Sequence, residues 1–466
     1  MTKTICKEIF RAYDIRGIVD EQLDEYTIEQ IGLALGSQAQ NQNCKTIVLG
    51  RDGRLSSPRL WAALTRGLLS SGMNIIDVGA VPTPVLYFAT YYYQTGCGAM
   101  LTGSHNPAQY NGVKMIIGGK SLADGDVENL YNRIINKDFI YGTGSYQENF
   151  IIPAYIEDVL SKITLNKKLR IVIDCGNGIA GVIAPELFRA LGCEVISLYE
   201  EVDGNFPNHH PDPSKIENLR ELKKAVLENK ADLGLAFDGD ADRLGVITNT
   251  GELVMPDRQM MLFSRSILKH NPKSTIVFDI KCSSHLERYI LKHNGVPLMW
   301  KTGHSYIKNK MLETQALLAG EMSGHIFFKE RWFGFDDGLY AGVRMLDILS
   351  NDYPDNSLQG LINELPNSIN TPELNIAIEE HEKFGFINKL INNHNFKDYK
   401  NIINIDGLRV EFSDGWGLIR ASNTTPCLVL RFEAISQESL QKIMDEFQRN
   451  IKLIDDRLMM VRVQDY

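Results

Sequence analysis

Short apolar runs alternate with longer segments of helical periodicity, and this alternation occurs three times along the chain. Each repeat starts with a β-rich run, continues through a helical pattern and ends with two further β-rich runs. Such alternation is typical of βαβ units, which build largely parallel sheets. Because the repeats are widely spaced, they predict three similar domains rather than a solenoid. The predicted strands begin at Lys45, Met73 and Gly98, then at Leu169, Cys193 and Asp232, and finally at Ser274, Gly295 and Ala316.

The last part of the chain has a different pattern. Three β-rich runs, Asn404–Val410, Glu411–Ile419 and Leu428–Glu433, come with Asp-Gly pairs that favour antiparallel hairpins. Ser436 follows them as a plausible N-cap of a helix. We therefore predict an α/β fold with three similar α/β domains, whose sheets are mixed and largely parallel, and a smaller C-terminal α+β domain. The expected domains are residues 1–150, 151–256, 257–367 and 368–466.

Composition narrows the class of protein. The chain has 466 residues, of which 44% are hydrophobic and 23% charged, as in ordinary soluble domains. Its net charge of −9 argues against a nucleic-acid partner. It has no apolar run long enough for a membrane span and no signal-like start, and its seven cysteines are scattered without a Cys-x-x-Cys motif. We expect a cytoplasmic protein with reduced thiols and no membrane partner.

A polar loop follows the third strand of every repeat. These loops are Thr102–Pro107, Asp238–Arg243 and Gly320–His325. Ligands of open α/β sheets bind at the carboxyl ends of the strands. Three equivalent strand ends therefore predict one shared active site in a central cleft, with one wall from each domain.

The second of these loops carries three carboxylates at alternate positions, Asp238, Asp240 and Asp242. In an extended run, side chains two residues apart point the same way, so the three carboxylates would converge. Converging carboxylates need a cation, and an all-oxygen set suits Mg²⁺. An EF-hand is excluded because its sixth and twelfth positions would be Arg243 and Asn249. A solvated acidic turn is the alternative, but the apolar run before the loop argues against it.

The remaining loops are less specific by themselves. Ser104 lies on a turn where its hydroxyl could accept a phosphoryl group, although the same residues also suit an ordinary turn. Gly320–His325 offers groups that could bind sugar hydroxyls, and Arg420–Pro426 offers a guanidinium, hydroxyls and an amide suited to a phosphate. Plain polar turns are the alternative for both.

One further motif could indicate a dinucleotide. Gly176–Gly181 reads GxGxxG, and Glu200 and Glu201 follow the next strand. The corresponding loops of the other two repeats lack these glycines. We interpret the motif as a tight strand-to-helix turn, with a dinucleotide-dependent enzyme as the alternative.

The loops and their order together resemble one family. The chain is similar to the α-D-phosphohexomutases, and within them to the bacterial phosphomannomutase/phosphoglucomutase branch. The resemblance covers nearly the whole chain, from Phe10–Gly17 through the three strand-end loops to Arg420–Pro426. It implies four domains around a cleft: a phosphoserine domain, a metal-binding domain, a sugar-recognition domain and a C-terminal phosphate-clamp domain.

The same resemblance implies a role for each site residue. Ser104 would carry the phosphoryl group and ligate Mg²⁺ together with Asp238, Asp240 and Asp242. Other groups at the transfer site would be Arg16, Lys114, Arg243, His304 and His325. The substrate would be bound by Tyr13, Lys281, Thr302, Gly303, His304, Glu321, Ser323, His325, Arg420, Ser422, Asn423 and Thr424.

The implied reaction interconverts hexose 6-phosphates and hexose 1-phosphates. Phospho-Ser104 gives a 1,6-bisphosphate of glucose or mannose, which reorients and returns its other phosphate. Lys114, His304 and His325 are candidates for the general base. The resemblance also suggests a monomer that supplies nucleotide-sugar synthesis.

Met322 favours mannose and glucose over glucosamine, because the glucosamine branch usually has Gln at this position. A phosphoglucosamine mutase is the nearest alternative. A non-catalytic phosphosugar-binding protein is a further one.

Overall fold

A computed structural model describes residues 5–423 and 425–460 and contains four β-sheets in succession along the chain. Each of the first three sheets combines parallel strands with an antiparallel neighbour, and the fourth is antiparallel. The predicted fold class, three similar α/β domains and a C-terminal α+β domain, is confirmed. The boundaries given above stay a prediction.

The first sheet has the strand order β1-β5-β4-β2-β3-β7, with β6 paired to β5. Its strands are β1 Ile15–Ile18, β2 Thr46–Arg51, β3 Asn74–Ala80, β4 Gly98–Leu101, β5 Tyr110–Ile117, β6 Lys120–Ser121 and β7 Tyr146–Glu148. The helices are α1 Glu25–Asn41, α2 Ser57–Ser70, α3 Thr83–Tyr92 and α4 Gly125–Asn136. The central strand β2 runs parallel to β3 and β4, whereas β5 runs antiparallel to β4.

The second and third sheets repeat this plan in shorter form, with the orders β12-β11-β10-β8-β9 and β14-β13-β15-β16. The second unit contains α5 Ile152–Lys162, β8 Arg170–Asp174, α6 Ala184–Ala190, β9 Glu194–Leu198, α7 Arg220–Glu228, β10 Leu233–Phe237, β11 Leu244–Thr248 and β12 Leu253–Val254. The third contains α8 Pro256–His270, β13 Thr275–Asp279, α9 Ser284–Lys292, β14 Val296–Trp300, α10 His304–Thr314, β15 Leu318–Gly320, β16 Ile326–Phe328, α11 Gly338–Asp347 and α12 Leu358–Asn363.

The fourth sheet has the order β17-β22-β21-β20-β19, with β18 on β22. Its elements are β17 Ile369–Asn370, β18 Leu374–Ala377, α13 Lys383–Asn393, β19 Asn401–Ile403, β20 Leu408–Glu411, β21 Gly415–Ala421, β22 Cys427–Ala434 and α14 Gln437–Ile454. Ser436 caps α14, because its side chain accepts a hydrogen bond from the backbone N–H of Ser439. The predicted antiparallel hairpins and this N-cap are confirmed.

Two strand boundaries in the tail were wrong. Residues 404–407 form a turn before β20 rather than part of a strand, and residues 412–414 form the turn between β20 and β21. The first turn contains Asp406-Gly407, and the second ends at Asp414, directly before Gly415 at the start of β21. A glycine or a short polar side chain suits a tight reversal.

The hydrophobic cores show which units share apolar packing. One large core includes residues of the second and third sheets and of helix α3 from the first unit. The fourth unit has a core of its own, and a small cluster of Ile280, Trp416 and Leu418 joins it to the third. The first three units are therefore packed through shared apolar contacts, whereas the fourth is attached more lightly.

Candidate active site

The three strand-end loops leave equivalent strands. Strands β4, β10 and β15 each lie between a parallel and an antiparallel neighbour, and the loops with Ser104, Asp238 and Glu321 follow them directly. The chain fold repeats this arrangement in each unit and turns the three loops toward one another. The result is one continuous chain of polar contacts across all four units.

The metal loop brings three buried carboxylates together. Asp238, Asp240 and Asp242 are fully buried, and one oxygen of each lies within 4.8 Å of the others. The predicted convergence is found, but not for the expected reason. The run is a turn rather than an extended strand, with Ala241 at a φ of +60°, so the turn itself brings the carboxylates together.

The donor set at this loop fits a hard divalent cation. Three carboxylates offer oxygens only, and Oδ1 of Asp240 is buried without a hydrogen-bond partner among the described residues. Burial first, then repulsion by Asp242 and Asp240, raises the pKa of Asp238 well above its usual range. For Asp242, burial also opposes ionisation, but Lys114 and His325 outweigh it and hold its pKa well below the usual range. A bound cation would remove the repulsion that the protein alone leaves in place.

Ser104 lies directly beside these carboxylates. Its Oγ donates a hydrogen bond to Oδ2 of Asp238 at 3.1 Å, and the residue is only 2% exposed. Its backbone has a φ of +49°, in the left-handed region that non-glycine residues rarely adopt. The structure therefore places the predicted phosphoryl carrier at the predicted metal loop.

Three cations surround the Ser104–Asp238 contact. Lys114 Nζ donates to Oδ2 of Asp240 at 2.7 Å and also to Asp242. Arg16 donates to Oδ1 of Asn106 at 2.8 Å and to the carbonyl of Gly103 in the serine loop. Arg243 lies 4.0 Å from Asp238, measured from Nε to Oδ2. This positive charge suits the transfer of a phosphoryl group.

The sugar loop, Gly320–His325, joins the same network through His325. Nε2 of His325 lies 3.2 Å from Oδ1 of Asp242 and 3.3 Å from Nε of Arg243. Its Nδ1 lies 3.2 Å from Oε2 of Glu321 and 2.8 Å from Oγ of Ser323. Burial lowers the pKa of His325, but Asp242 outweighs it and raises the pKa to about 9.

Glu321 extends the network to the start of α10. Its Oε1 accepts the N–H of Gly303 at 2.5 Å. The next side chain, His304, stacks at 5.4 Å on His325 and packs edge-on against Tyr13 at 4.9 Å. Burial first, then Lys308, holds the pKa of His304 well below its usual range. The predicted sugar residues thus line one wall that touches the metal loop.

The loop of the fourth unit that begins at Arg420, called here the phosphate loop, contacts the third unit at Thr302, next to the sugar loop. Asp406 Oδ2 accepts from Arg420 Nε at 2.9 Å and from the N–H of Thr302 at 3.0 Å. Asn423 donates to the carbonyl of Thr302 at 3.5 Å, and Ser422 Oγ lies 2.7 Å from Oγ1 of Thr425. The predicted residue Thr424 lies outside the described residues. Among those described, every predicted site residue lies in this network or next to it.

Lys281 is held differently from the other predicted substrate residues. Its Nζ donates to Oε1 of Glu373 at 2.5 Å and lies 3.9 Å from Oδ2 of Asp279. The ammonium therefore lies between a carboxylate of the third unit and one of the fourth.

Sequence reasoning missed the acidic partners of these groups. Asp336 is fully buried and pairs with Lys308 at 2.8 Å and with Nδ1 of His304 at 3.4 Å. Asp406 was interpreted only as a turn residue, and Glu373 was not singled out at all. A sequence gives little sign of such partners, because they lie 14 to 92 residues along the chain from the groups they pair with and have no motif of their own.

The glycine motif Gly176–Gly181 is a tight turn, as interpreted. Gly176 has a φ of +53°, and a Cβ at Gly181 would lie 1.9 Å from the carbonyl oxygen of Glu200. A short 3₁₀ segment, Ile179–Val182, follows instead of a long helix. Helix α6 begins only at Ala184, so the loop does not present the helix N-terminus that a dinucleotide pyrophosphate needs. All seven cysteines are free thiols, and no helix among the described residues is long and apolar enough to cross a membrane.

Family models match most of the chain, from residue 7 to residue 449. Those for phosphoglucomutase/phosphomannomutase α/β/α domains I, II and III match residues 7–140, 153–251 and 255–369, and the C-terminal domain matches residues 373–449. A phosphomannomutase/phosphoglucomutase of Pseudomonas aeruginosa is 51% identical over 455 residues, 98% of each chain. A phosphoglucomutase of Neisseria gonorrhoeae is 50% identical over 96% of this chain and 98% of that protein.

A solved structure agrees with these matches. A phosphoglucomutase/phosphomannomutase family protein of Burkholderia thailandensis superposes with a TM-score of 0.93 at 45% identity. The alignment covers 98% of this chain and all of that one. The similarity therefore extends to the whole arrangement of the four units.

Proposed function

The chain belongs to the phosphoglucomutase/phosphomannomutase family, and we propose that it is an isomerase that interconverts hexose 6-phosphates and hexose 1-phosphates. The observation that carries the proposal is the contact between Ser104 Oγ and Asp238 within three converging carboxylates. A hydroxyl beside a cation site and several cationic side chains is the arrangement that reversible phosphoryl transfer requires.

The transfer proceeds in two balanced steps. In the first, the bond between phosphorus and Ser104 Oγ breaks and a bond to the free hydroxyl of the bound hexose monophosphate forms. In the second, the 1,6-bisphosphate has turned round. The bond between its other phosphorus and the sugar oxygen then breaks, a bond from phosphorus to Ser104 Oγ forms, and the sugar oxygen takes up a proton to become a hydroxyl. A glucose or mannose 1,6-bisphosphate is thus both the intermediate and the activator.

Charge neutralisation favours both steps. Mg²⁺, held by Asp238, Asp240 and Asp242, would offset the charge of phosphoserine when bound. Arg16 binds the serine loop at Asn106 and Arg243 lies 4.0 Å from Asp238, so both would contact the transferring oxygens.

The attacking hydroxyl must also lose a proton. Of the candidate bases, Lys114 is an ammonium paired with two carboxylates. His304 instead has a pKa well below its usual range, because it is buried and lies near Lys308. A general base must lie within hydrogen-bond reach of the hydroxyl that it deprotonates, so Lys114, His304 and His325 all stay candidates for this role.

The two orientations of the intermediate need a common anchor. Arg420, Ser422 and Asn423 lie opposite the sugar loop and would hold the phosphate that is not reacting. Glu321 and Ser323 would bind hydroxyls of the sugar. Because the fourth unit has its own core, it can shift while the transfer site keeps its geometry.

Mannose and glucose are the proposed sugars. Relatives with about half their residues in common are a phosphomannomutase/phosphoglucomutase and a phosphoglucomutase. Met322 in the sugar loop favours the same sugars, as the family resemblance implies. Comparing kcat/KM for mannose 1-phosphate, glucose 1-phosphate and glucosamine 1-phosphate tests this choice. A preference for glucosamine would reject it. We also propose that the enzyme works in the cytoplasm as a monomer and supplies nucleotide-sugar synthesis.

Intact-mass spectrometry tests the phosphoserine. Wild type and Ser104→Ala are measured before and after addition of glucose 1,6-bisphosphate with Mg²⁺. We expect the mass of one phosphate on wild type and none on the variant. Equal labelling of both proteins would reject Ser104 as the carrier, and labelling of neither would favour a non-catalytic phosphosugar-binding protein.

A further inference from the structure

A buried arginine lies beneath the serine loop. Arg54 is in the segment between β2 and α2, and its side chain is 1% exposed. A guanidinium has five N–H groups, and all five are used here. Nε donates to Oδ2 of Asp52 at 3.1 Å; Nη1 donates to the carbonyls of Pro107 and Tyr110 at 2.6 and 3.0 Å; Nη2 donates to those of Ser104 and Asn106 at 2.7 and 2.6 Å.

Asp52 holds the other arm of the same loop. Its Oδ2 accepts from Oγ1 of Thr102 at 2.9 Å and from the N–H of Gly103 at 3.0 Å. Oγ1 of Thr102 in turn accepts from the N–H of Ser104 at 2.8 Å. Asp52 therefore secures the approach to Ser104, and Arg54 secures the chain at and beyond it.

Such support is needed because Ser104 is strained. A non-glycine residue with a φ of +49° costs on the order of 1 kcal/mol and persists only where its surroundings determine its conformation. Here the N–H of Ser104 is bound through Thr102 and its carbonyl is bound by Arg54. With both peptide groups fixed, Oγ is left facing Asp238 at 3.1 Å.

Neighbouring segments pack closely around Arg54. A Cβ at Gly103 would lie 2.2 Å from Nε of Arg54, and one at Gly204 would lie 2.8 Å from its Cα. The ring of Phe206, from the second unit, lies 5.3 Å from the guanidinium carbon. Residues of the second unit, which carries the metal loop, therefore pack against Arg54 and the serine loop that it holds.

We propose that Arg54, oriented by Asp52, is a positioning residue for phosphoryl transfer, which fixes the Ser104 loop so that Oγ faces the metal carboxylates. The proposal rests on the proposed function. The guanidinium contacts the serine loop and neither the sugar loop nor the phosphate loop, so its loss slows transfer without weakening substrate binding. A displacement of about 1 Å at a reacting group can cost ~100-fold in rate.

The first variant is Arg54→Lys. Lysine keeps the positive charge but has three donors on a single nitrogen, so it cannot bind four carbonyls and a carboxylate in the geometry of the planar fork. We expect kcat to fall about 100-fold, KM to stay within about twofold and labelling by glucose 1,6-bisphosphate to slow by the same factor as kcat.

Arg344→Lys is the matched control. Arg344 lies in α11, its side chain is 2% exposed, and it pairs with Glu330 at 2.6 Å, so trimming it tests the general effect of shortening a buried arginine. This variant should keep the kcat of wild type. Circular dichroism of both variants reports whether each is folded.

A second variant separates positioning from mere stability. In Arg54→Ala, added guanidinium ion should restore part of the labelling rate, whereas methylammonium at equal concentration should not. A role in stability alone would be insensitive to the shape of the added cation.

Each outcome decides the proposal. If wild type is labelled normally and Arg54→Lys keeps the kcat and labelling rate of wild type, this inference is rejected but the proposed function stands. The same holds if Arg54→Lys raises KM and leaves kcat unchanged. A wild-type enzyme that takes no phosphate overturns the proposed function and this inference with it, while slow transfer with an unchanged KM and rescue by guanidinium supports the positioning role.

Discussion

Lys114 neutralises two of the three carboxylates that converge at the metal loop. Its Nζ donates to Asp240 and Asp242, and all of these groups are buried. Removing one partner of a buried ion pair is costly, because the remaining charge is left uncompensated. A bound divalent cation performs the same neutralisation, so the lysine and the cation should partly replace each other.

Lys114→Met should therefore make stability more dependent on Mg²⁺. We expect the metal-free variant to lose about 3 kcal/mol, and Mg²⁺ to raise its unfolding temperature by more than it raises that of wild type. Calorimetry with and without Mg²⁺ measures both shifts. Lys383→Met is the control, since Lys383 is 1% exposed and pairs with Glu380 at 2.6 Å in the fourth unit. Equal Mg²⁺ responses in Lys114→Met and wild type would contradict the prediction.

A second residue-scale prediction concerns Asp337, the N-cap of α11. Oδ1 accepts from the N–H of Tyr340, and Oδ2 accepts from Tyr155 Oη at 2.8 Å and Trp332 Nε1 at 3.1 Å. Burial nevertheless raises the pKa of this carboxyl to about 7. The folded protein thus holds a proton that the unfolded chain releases near pH 4.

The sign of the pH dependence follows from that difference. The stability contributed by protonated Asp337 is complete below about pH 4 and is lost as the pH rises to about 7. Asp337→Asn does not titrate, so its unfolding temperature relative to wild type should rise across this window and then level off. The total change cannot exceed about 4 kcal/mol, since each pKa unit is worth about 1.4 kcal/mol. Parallel curves for the two proteins from pH 4 to 8 would reject the assignment.

At the residue scale, sequence identified the chemical groups but not their supports. The alternate aspartates and the loop of Ser104 are local patterns, and their convergence is found even though the run is a turn. Arg54 lies in the loop of the first repeat that corresponds to Gly176–Gly181 in the second. From the sequence, that loop was notable only because it lacks the glycines of the GxGxxG motif. The role of Arg54 depends on carbonyls some fifty residues further along the chain, such as that of Ser104. No local sequence pattern indicates such a contact.

At the scale of elements, α14 shows how a single side chain stabilises a helix. Ser436 accepts the N–H of Ser439, and the helix packs its apolar face into the separate core of the fourth unit. Ser436→Ala should destabilise this unit by about 1 kcal/mol, because it leaves an N-terminal N–H without its partner. Ser436→Asp keeps an acceptor and adds a charge favourable at a helix N-terminus. Hydrogen exchange within α14 should therefore quicken in the first variant and not in the second.

Elements were predictable where periodicity was strong. All nine strands of the three repeats are present. Most are apolar runs that are buried, whereas β9 and β14 are only partly buried. The predicted repeat had no helix between its second and third strands, where α3, α7 and α10 lie. In the tail, the errors fall at residues 404–407 and 412–414, where turns interrupt β-rich runs. At those positions turn chemistry overrides β propensity, and the Asp-Gly pairs were the available signal.

At the scale of the whole molecule, the shared site was predictable from the repeat, but the contacts that close it were not. Equivalent strand ends predicted that three loops meet, and β4, β10 and β15 do bring them together. The attachment of the fourth unit depends on pairs such as Lys281–Glu373, between residues in different units. Pairing of that kind follows from the packing of whole units, which a single sequence does not encode in any local pattern.

Asp406 is the point where the fourth unit meets the sugar wall. One oxygen, Oδ2, accepts from Arg420 of the phosphate loop and from the N–H of Thr302 in the third unit. The carboxylate thus orients the guanidinium and ties together two loops that carry predicted substrate residues. An amide at this position keeps the size of the side chain but gives up the charge that holds Arg420, since hydrogen bonds to charged groups are stronger than neutral ones.

Asp406→Asn should therefore loosen the closure of the whole molecule without touching the transfer site. We expect KM for the hexose phosphate to rise several-fold, since charge-assisted hydrogen bonds contribute about 1.5–3 kcal/mol and part of that is lost. The amide of Thr302 should exchange its hydrogen faster, while labelling of Ser104 by glucose 1,6-bisphosphate at saturating concentration stays unchanged, because Ser104 and Asp238 lie in the first and second units. Arg420→Ala should raise KM further without altering saturated labelling. If Asp406→Asn slowed labelling but left KM and exchange at Thr302 unchanged, the carboxylate would act on the chemistry and not on the attachment of the fourth unit.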